Sequence, residues 1–107
     1  MAVTYLFSRE CPSYDEGLRL LEDAALSAGV FLDLETVEVL TDEQAERLSY
    51  LGSPTYRIAG DDPFAPEEPY HDFQFDACRA YRGPGERIGP LPPREALTSA
   101  LAARAGR

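Results

Sequence analysis

The sequence contains no lysine and no asparagine. All 10 basic residues are arginines, set against 19 acidic ones, for a formal net charge of −9. The missing lysine excludes Schiff-base and lysine-nucleophile chemistry. The acidic balance excludes nucleic acid and anionic membranes as natural partners, because both demand clustered cations. The accompanying richness in Ala, Pro and Gly fits a GC-rich genome better than a mechanism. No apolar run approaches the roughly 20 residues that span a bilayer. The opening "MAVTYLFSREC" lacks a basic start and a long apolar stretch. It does not read as a secretory signal, and a cytoplasmic protein is the default expectation.

Cysteine is also scarce: Cys11 and Cys78 are the pair present, and His71 is the single histidine. Two widely spaced cysteines in a chain expected in the cytoplasm are weak grounds for a structural disulfide. There is no glycine-rich phosphate cradle, no Ser-His-Asp set and no zinc spacing, and no cofactor is implied. His71 stands among Asp61, Asp62, Glu67, Glu68, Asp72 and Asp76. Their spacing matches no cation loop, so a solvated acidic segment is expected rather than a metal site. Phe64, Tyr70, Phe73 and Phe75 in the same stretch are expected to cover core or a sheet edge.

What is present suits one compact domain spanning residues 1–107. At 44% hydrophobic residues, a chain of this length buries a core without disulfides. "VTYLF" (3–7) has strand composition. Tyr14, Leu18, Leu21 and Ala25 then fall on one helical face, with Pro12 suited to a first turn and Gly29 to a stop. "VFLDLETVEV" gives a second strand. "TDEQAERLSYLG" gives a short helix, opened by the Thr41/Gln44 capping pattern. "TYRIAG" and "ACRAYRG" give two more strands, and "REALTSALAARA" a last helix. The expected fold is α/β, in the order β-α-β-α-β-β-α. The first unit has a right-handed crossover, the last two strands form an antiparallel hairpin, and the product is a four-stranded mixed sheet flanked by helices.

"ECPSY" at the first strand-to-helix junction and "GSPT" (52–55) before the third strand carry a resemblance. In this element order they resemble the thioredoxin-like superfamily over nearly the whole chain. "ECPSY" stands where that family has Cys-x-x-Cys, with Tyr14 in place of the second cysteine. "GSPT" is similar to its cis-proline loop. "LGSPTYRIAG" followed by "CRAYRGPGERIGPLPPREAL" resembles small bacterial thioredoxin-like proteins of unknown role. The resemblance implies a cis Pro54 that brings the Ser53 backbone beside Cys11, where an extended thiol peptide would bind.

Cys11 is the expected catalytic thiol, with a second reading as an inert, half-buried cysteine that fills space. If Pro12 opens the helix, Cys11 is its N-cap and the first-turn amides favour the thiolate. Glu10, Asp15 and Glu16 oppose this, with Arg9 as the nearest cation in sequence. Ser13 and Glu16 form a rival capping pattern that would leave Cys11 outside the helix. Ser13, Tyr14, Ser53, Pro54 and Thr55 are the expected substrate-contacting residues around it. Ser13 has a second reading as a cap and Tyr14 as packing. Cys78 is expected to be buried and structural at the far end of the sheet, out of reach of Cys11 unless the 61–76 loop folds back and the fourth strand starts later. The expected function is monothiol exchange: Cys11 attacks a protein or small-molecule disulfide, and an external thiol releases it. The alternative is a binding or homodimerising module that uses the same groove and survives Cys11→Ser.

Overall fold

The computed structural model describes residues 1–65, 73–83, 85 and 87–105. Its elements are β1 (Ala2–Phe7), α1 (Tyr14–Ala28), β2 (Asp33–Glu38), α2 (Asp42–Leu48), β3 (Thr55–Ile58), β4 (Tyr81–Arg82), β5 (Ile88–Gly89) and α3 (Arg94–Ala105). β1 is the central strand of a three-stranded sheet ordered β2-β1-β3. It runs parallel to β2, with Val3 opposite Leu34 and Tyr5 opposite Thr36. It runs antiparallel to β3, with Tyr5 opposite Tyr56.

Alternation along β1 loads both faces of the sheet. Val3 and Tyr5 join Leu21, Ala24 and Ala25 of α1, Leu97 and Leu101 of α3, and Tyr56 and Ile58 of β3 in the larger core. Leu6 points the other way and packs with Val39, Ala45 and Tyr50. The helical stripe of the sequence is realised: Leu21 and Ala25 are buried, with Leu18 against them. Gly29 ends α1 in the left-handed region at φ 70°. The Val30 amide then donates back to the Ala25 carbonyl at 3.0 Å, which satisfies an otherwise orphaned acceptor. At α2 the Thr41 hydroxyl accepts from the Gln44 amide at 3.1 Å, as the capping pattern predicts.

Gly17 sits inside α1 for a packing reason. A Cβ there would lie 2.9 Å from Cγ of Pro54 and 3.1 Å from the Tyr56 hydroxyl. That hydroxyl donates to the Gly17 carbonyl at 2.7 Å, which pins α1 onto β3.

The expected four-stranded thioredoxin-like sheet does not form. Tyr81–Arg82 pairs with Ile88–Gly89 as a separate two-stranded ribbon, and residue 78 makes only an isolated parallel bridge with Ser53. The reason lies after β3. The chain closes a tight turn there, with Ile58 and Asp61 exchanging bonds of 2.7 and 3.0 Å. It then bends again at Asp62, whose carboxylate accepts from the Phe64 amide at 2.9 Å. A hairpin partner zipped back from Ile58 is therefore replaced by a segment that returns at the other end of β3. Side chains cover this side instead: Tyr81 lies beside Tyr56, with Phe64 edge-on to Tyr81 at 5.3 Å.

Phe64 packs on the larger core, and Phe73 and Phe75 pack on the smaller one, as expected of core-covering aromatics. Glu67, Glu68, Tyr70, His71 and Asp72 lie outside the described residues. Among the described residues no group of three or more His, Cys, Asp or Glu side chains is placed to hold a metal ion. No described helix is long and apolar enough to cross a membrane.

Candidate functional site

Cys11 follows a turn in which its amide donates to the Ser8 carbonyl at 3.2 Å. Helix α1 begins three residues later, with Ser13 at the N-cap position. The rivalry between caps is thus resolved against Cys11, which lies outside the helix and loses much of the help its dipole would give a thiolate. The Ser13 side chain makes no capping bond, so the Ser13/Glu16 box is not formed either.

Arg9 does not serve the sulfur. It pairs with Glu38 at 3.2 Å and lies over the Phe7 and Tyr14 rings. Its hydrogen bond to Glu38 is the main reason its pKa is held above the ordinary value. Tyr14 stacks on Phe7 at 5.4 Å and accepts a 3.3 Å bond from Arg9, in keeping with a packing role.

Cys11 is not a lone thiol. It is fully buried and joined to Cys78 in a disulfide with a Cα–Cα distance of 5.6 Å, within the span a bridge covers. This corrects the expectation that the pair cannot close. That expectation placed Cys78 at the far end of β3, as the start of a hairpin strand. Segment 77–79 instead runs parallel alongside Ser53. The Ser53 amide donates to the Ala77 carbonyl at 2.9 Å, and the Arg79 amide donates to the Ser53 carbonyl at 3.1 Å. Gly52 permits the approach: at φ 122°, a Cβ there would lie 2.9 Å from the Arg79 nitrogen.

Ser53, Pro54 and Thr55 are buried at this junction, and the Ser53–Pro54 bond is cis. The Ser53 carbonyl oxygen lies 3.6 Å from Cys11 Sγ, as the resemblance implies. The position expected to receive an extended thiol peptide is therefore filled by the chain's own Ala77-Cys78-Arg79. The remaining groups are also satisfied internally. The Ser53 hydroxyl accepts from the Ser8 amide at 3.0 Å. The Thr55 hydroxyl donates to the Gly52 carbonyl at 2.6 Å, and the Tyr81 hydroxyl donates to the Pro54 carbonyl at 2.5 Å. The structure thus brings Cys11, Ser53, Pro54 and Thr55 together and leaves Ser13 and Tyr14 on the outer side of the turn.

Sequence reasoning missed three residues that hold the segment. Arg79, only 6% exposed, makes two bonds of 2.7 and 3.1 Å to the Asp62 carboxylate. Its guanidinium also lies 4.7 Å from the Tyr81 ring centroid. No local pattern marks an arginine and an aspartate 17 positions apart as partners. Burial raises the pKa of Tyr81, and the charge of Arg79 opposes the shift. Tyr50 is fully buried and its hydroxyl makes no well-formed hydrogen bond among the described residues. Burial pushes its pKa up to about 12, opposed weakly by the neighbouring Ser53 hydroxyl and by Arg79.

The two cysteines differ in exposure. Cys11 is sealed, whereas Cys78 is exposed, which corrects the expectation of a buried Cys78: its neighbour Arg79 turns inward instead. Cys78 lines a cavity of about 510 Å³ with Leu51, Phe64, Arg79, Ala80, Tyr81 and Arg82. Comparison of the chain with protein-family models, curated proteins and solved structures gives no match.

Proposed function

We propose that the protein exchanges thiols and disulfides through the Cys11–Cys78 pair, with Cys78 as the point of entry. The observation that carries this is the asymmetry of the pair, Cys11 fully buried and Cys78 an exposed residue that lines a cavity. An incoming thiolate attacks Cys78 Sγ. A mixed disulfide forms, the Cys11–Cys78 bond breaks, and Cys11 leaves as a thiolate. A second thiolate attacks the external sulfur of that mixed disulfide and frees Cys78. Two external thiols are thereby oxidised to one disulfide and the pair is reduced. In the reverse direction Cys78 attacks a substrate disulfide, and Cys11 then displaces the bound half. This replaces the single-thiol scheme, in which Cys11 itself makes the first attack.

A second reading has its own support. Complete burial of Cys11 and the 67-residue span of the bridge suit a structural staple. The two readings differ in compartment. A staple belongs in an oxidising environment, while in the cytoplasm such a bond is transient and reactive. The test is trapping. Native Cys11→Ser and Cys78→Ser variants are exposed to a small aromatic disulfide, and adduct formation is followed by mass spectrometry. Exchange predicts rapid adduct formation at Cys78 in the first variant and slow formation at Cys11 in the second. A staple predicts that the oxidised wild type resists dithiothreitol until it unfolds.

A further inference from the structure

We propose that the free edge of β2 is a docking site for a basic extended segment of a partner protein, which adds to the sheet as a further strand. The site is remote from the sulfur chemistry and does not depend on it. β2 is an outer strand, with β1 on one side only. The amides of Asp33 and Val39 donate to Met1 and Phe7, each at 2.8 Å. Alternation then turns the odd-numbered residues of β2 toward β1 and the even-numbered ones outward. The Glu38 carbonyl is already engaged by the Gln44 amide group at 3.3 Å. That leaves the N–H and C=O groups of Leu34 and Thr36 facing outward, and no described residue bonds to their outer side.

The surroundings of this edge say what fits it. Asp33, Leu34, Glu35 and Thr36 are four consecutive exposed residues. Phe31 is 93% exposed just before them and Leu40 61% exposed just after. Leu34 shares the Val3 face of the sheet, and Asp33 and Glu35 share the opposite face. An incoming strand that pairs along residues 33–36 therefore meets the Asp33 and Glu35 carboxylates on one face and Leu34 beside Thr36 on the other. Alternating cationic and apolar residues satisfy both.

Charge selects against a second copy of this chain. β2 beside another β2 would bring Asp33 and Glu35 of each chain onto one shared face, on a protein already at −9. Edge carboxylates are themselves a guard against self-pairing, and a cationic strand is the partner they do not repel.

The test uses the intact oxidised protein and a fluorescein-labelled seven-residue peptide of alternating Arg and Val. Anisotropy should show saturable binding. Amide exchange followed by NMR should slow at least tenfold at Leu34 and Thr36. The same peptide with Glu in place of Arg should bind at least tenfold more weakly, and this arm needs no protein variant. The Asp33→Arg/Glu35→Arg variant should lose binding by the same factor, with its fold checked by circular dichroism. Binding without protection of those two amides would mean general charge attraction and would overturn the proposal. So would unchanged affinity in the double variant, or absence of binding. Protection of the same amides by self-association, without peptide, would assign the edge to a second copy and equally refute a basic partner.

Discussion

Reducing the Cys11–Cys78 bond should weaken the protein by an amount set by chain length. The cysteines are 67 residues apart. Closing a loop of that size restricts the unfolded chain by an entropy equivalent to about 4 kcal/mol at 25 °C. This is large beside the 5–15 kcal/mol that separates typical folded domains from their unfolded states. The folded side changes less. Segment 77–79 keeps its two backbone bonds to Ser53, its Arg79–Asp62 pair and the Tyr81 bond to Pro54. Urea unfolding of the oxidised protein, of the protein in dithiothreitol and of Cys78→Ser measures the difference. The reduced form and the variant should both lose about 2–4 kcal/mol, and they should agree within about 1 kcal/mol, since Ser at an exposed position removes little packing. The denaturant slope should rise in both, because the open unfolded chain exposes more surface. A midpoint that does not move on reduction would show that the bridge does not restrict the unfolded ensemble, and the argument from loop length would fall.

Four other outcomes follow from the packing. Tyr5, Tyr50, Tyr56 and Tyr81 all have pKa values raised by burial above the unfolded value of 10.0, so their contribution is intact below pH 10 and lost as pH rises beyond it. Stability should then fall by at most about 5.6 kcal/mol per pH unit, four groups at about 1.4 each, with tyrosinate absorbance from these four appearing only on unfolding. Urea curves at pH 9, 10 and 11 that overlay would contradict this. Tyr50→Phe removes a buried hydroxyl without a partner among the described residues and should be neutral or stabilising by up to about 1 kcal/mol, read as an unchanged or higher thermal midpoint. Gly17→Ala should destabilise by about 1–3 kcal/mol despite better helix propensity, because the new methyl meets Pro54 and the Tyr56 hydroxyl; a gain in stability would mean the junction yields. Asp62→Ala strands the buried Arg79 charge and should cost about 3–5 kcal/mol in denaturant unfolding, with a smaller loss when Arg79→Met is added.

Periodic features were legible in the sequence because they are local. The apolar run of β1, the α1 stripe and the Thr41 cap each depend on residues within a few positions of one another. So does the paired burial of Leu97 and Leu101 in α3. The helix-cap question at Cys11 was legible only as a choice, since Pro12 and Ser13 both satisfy a first-turn rule. β4 was overdrawn for a related reason. "ACRAYRG" has strand composition, but composition carries no information on which edge the segment joins, and only Tyr81 and Arg82 become a strand.

The largest discrepancy, the sulfur pair, follows from that same missing information. If segment 77–79 ran antiparallel from the end of β3, Cys78 would stand a strand's length from Cys11. Because it runs parallel beside Ser53, the two Cα atoms come within 5.6 Å. Whether a returning segment enters at one end of a strand or the other is decided by non-local groups. Here they are the bare Cα of Gly52, the Asp62 carboxylate that accepts Arg79, and the Pro54 carbonyl that accepts Tyr81. None of these contacts has a sequence period. All three place the chain's own cysteine where an external thiol peptide was expected, so the same contacts govern access to the buried sulfur. Loosening Arg79 from Asp62 should therefore speed reduction of the Cys11–Cys78 bond even where the global fold persists. Dithiothreitol reduction rates of Asp62→Asn and wild type, measured well below the unfolding transition, decide this. A faster variant ties access to the anchor, and equal rates would mean that attack at exposed Cys78 needs no movement of the segment.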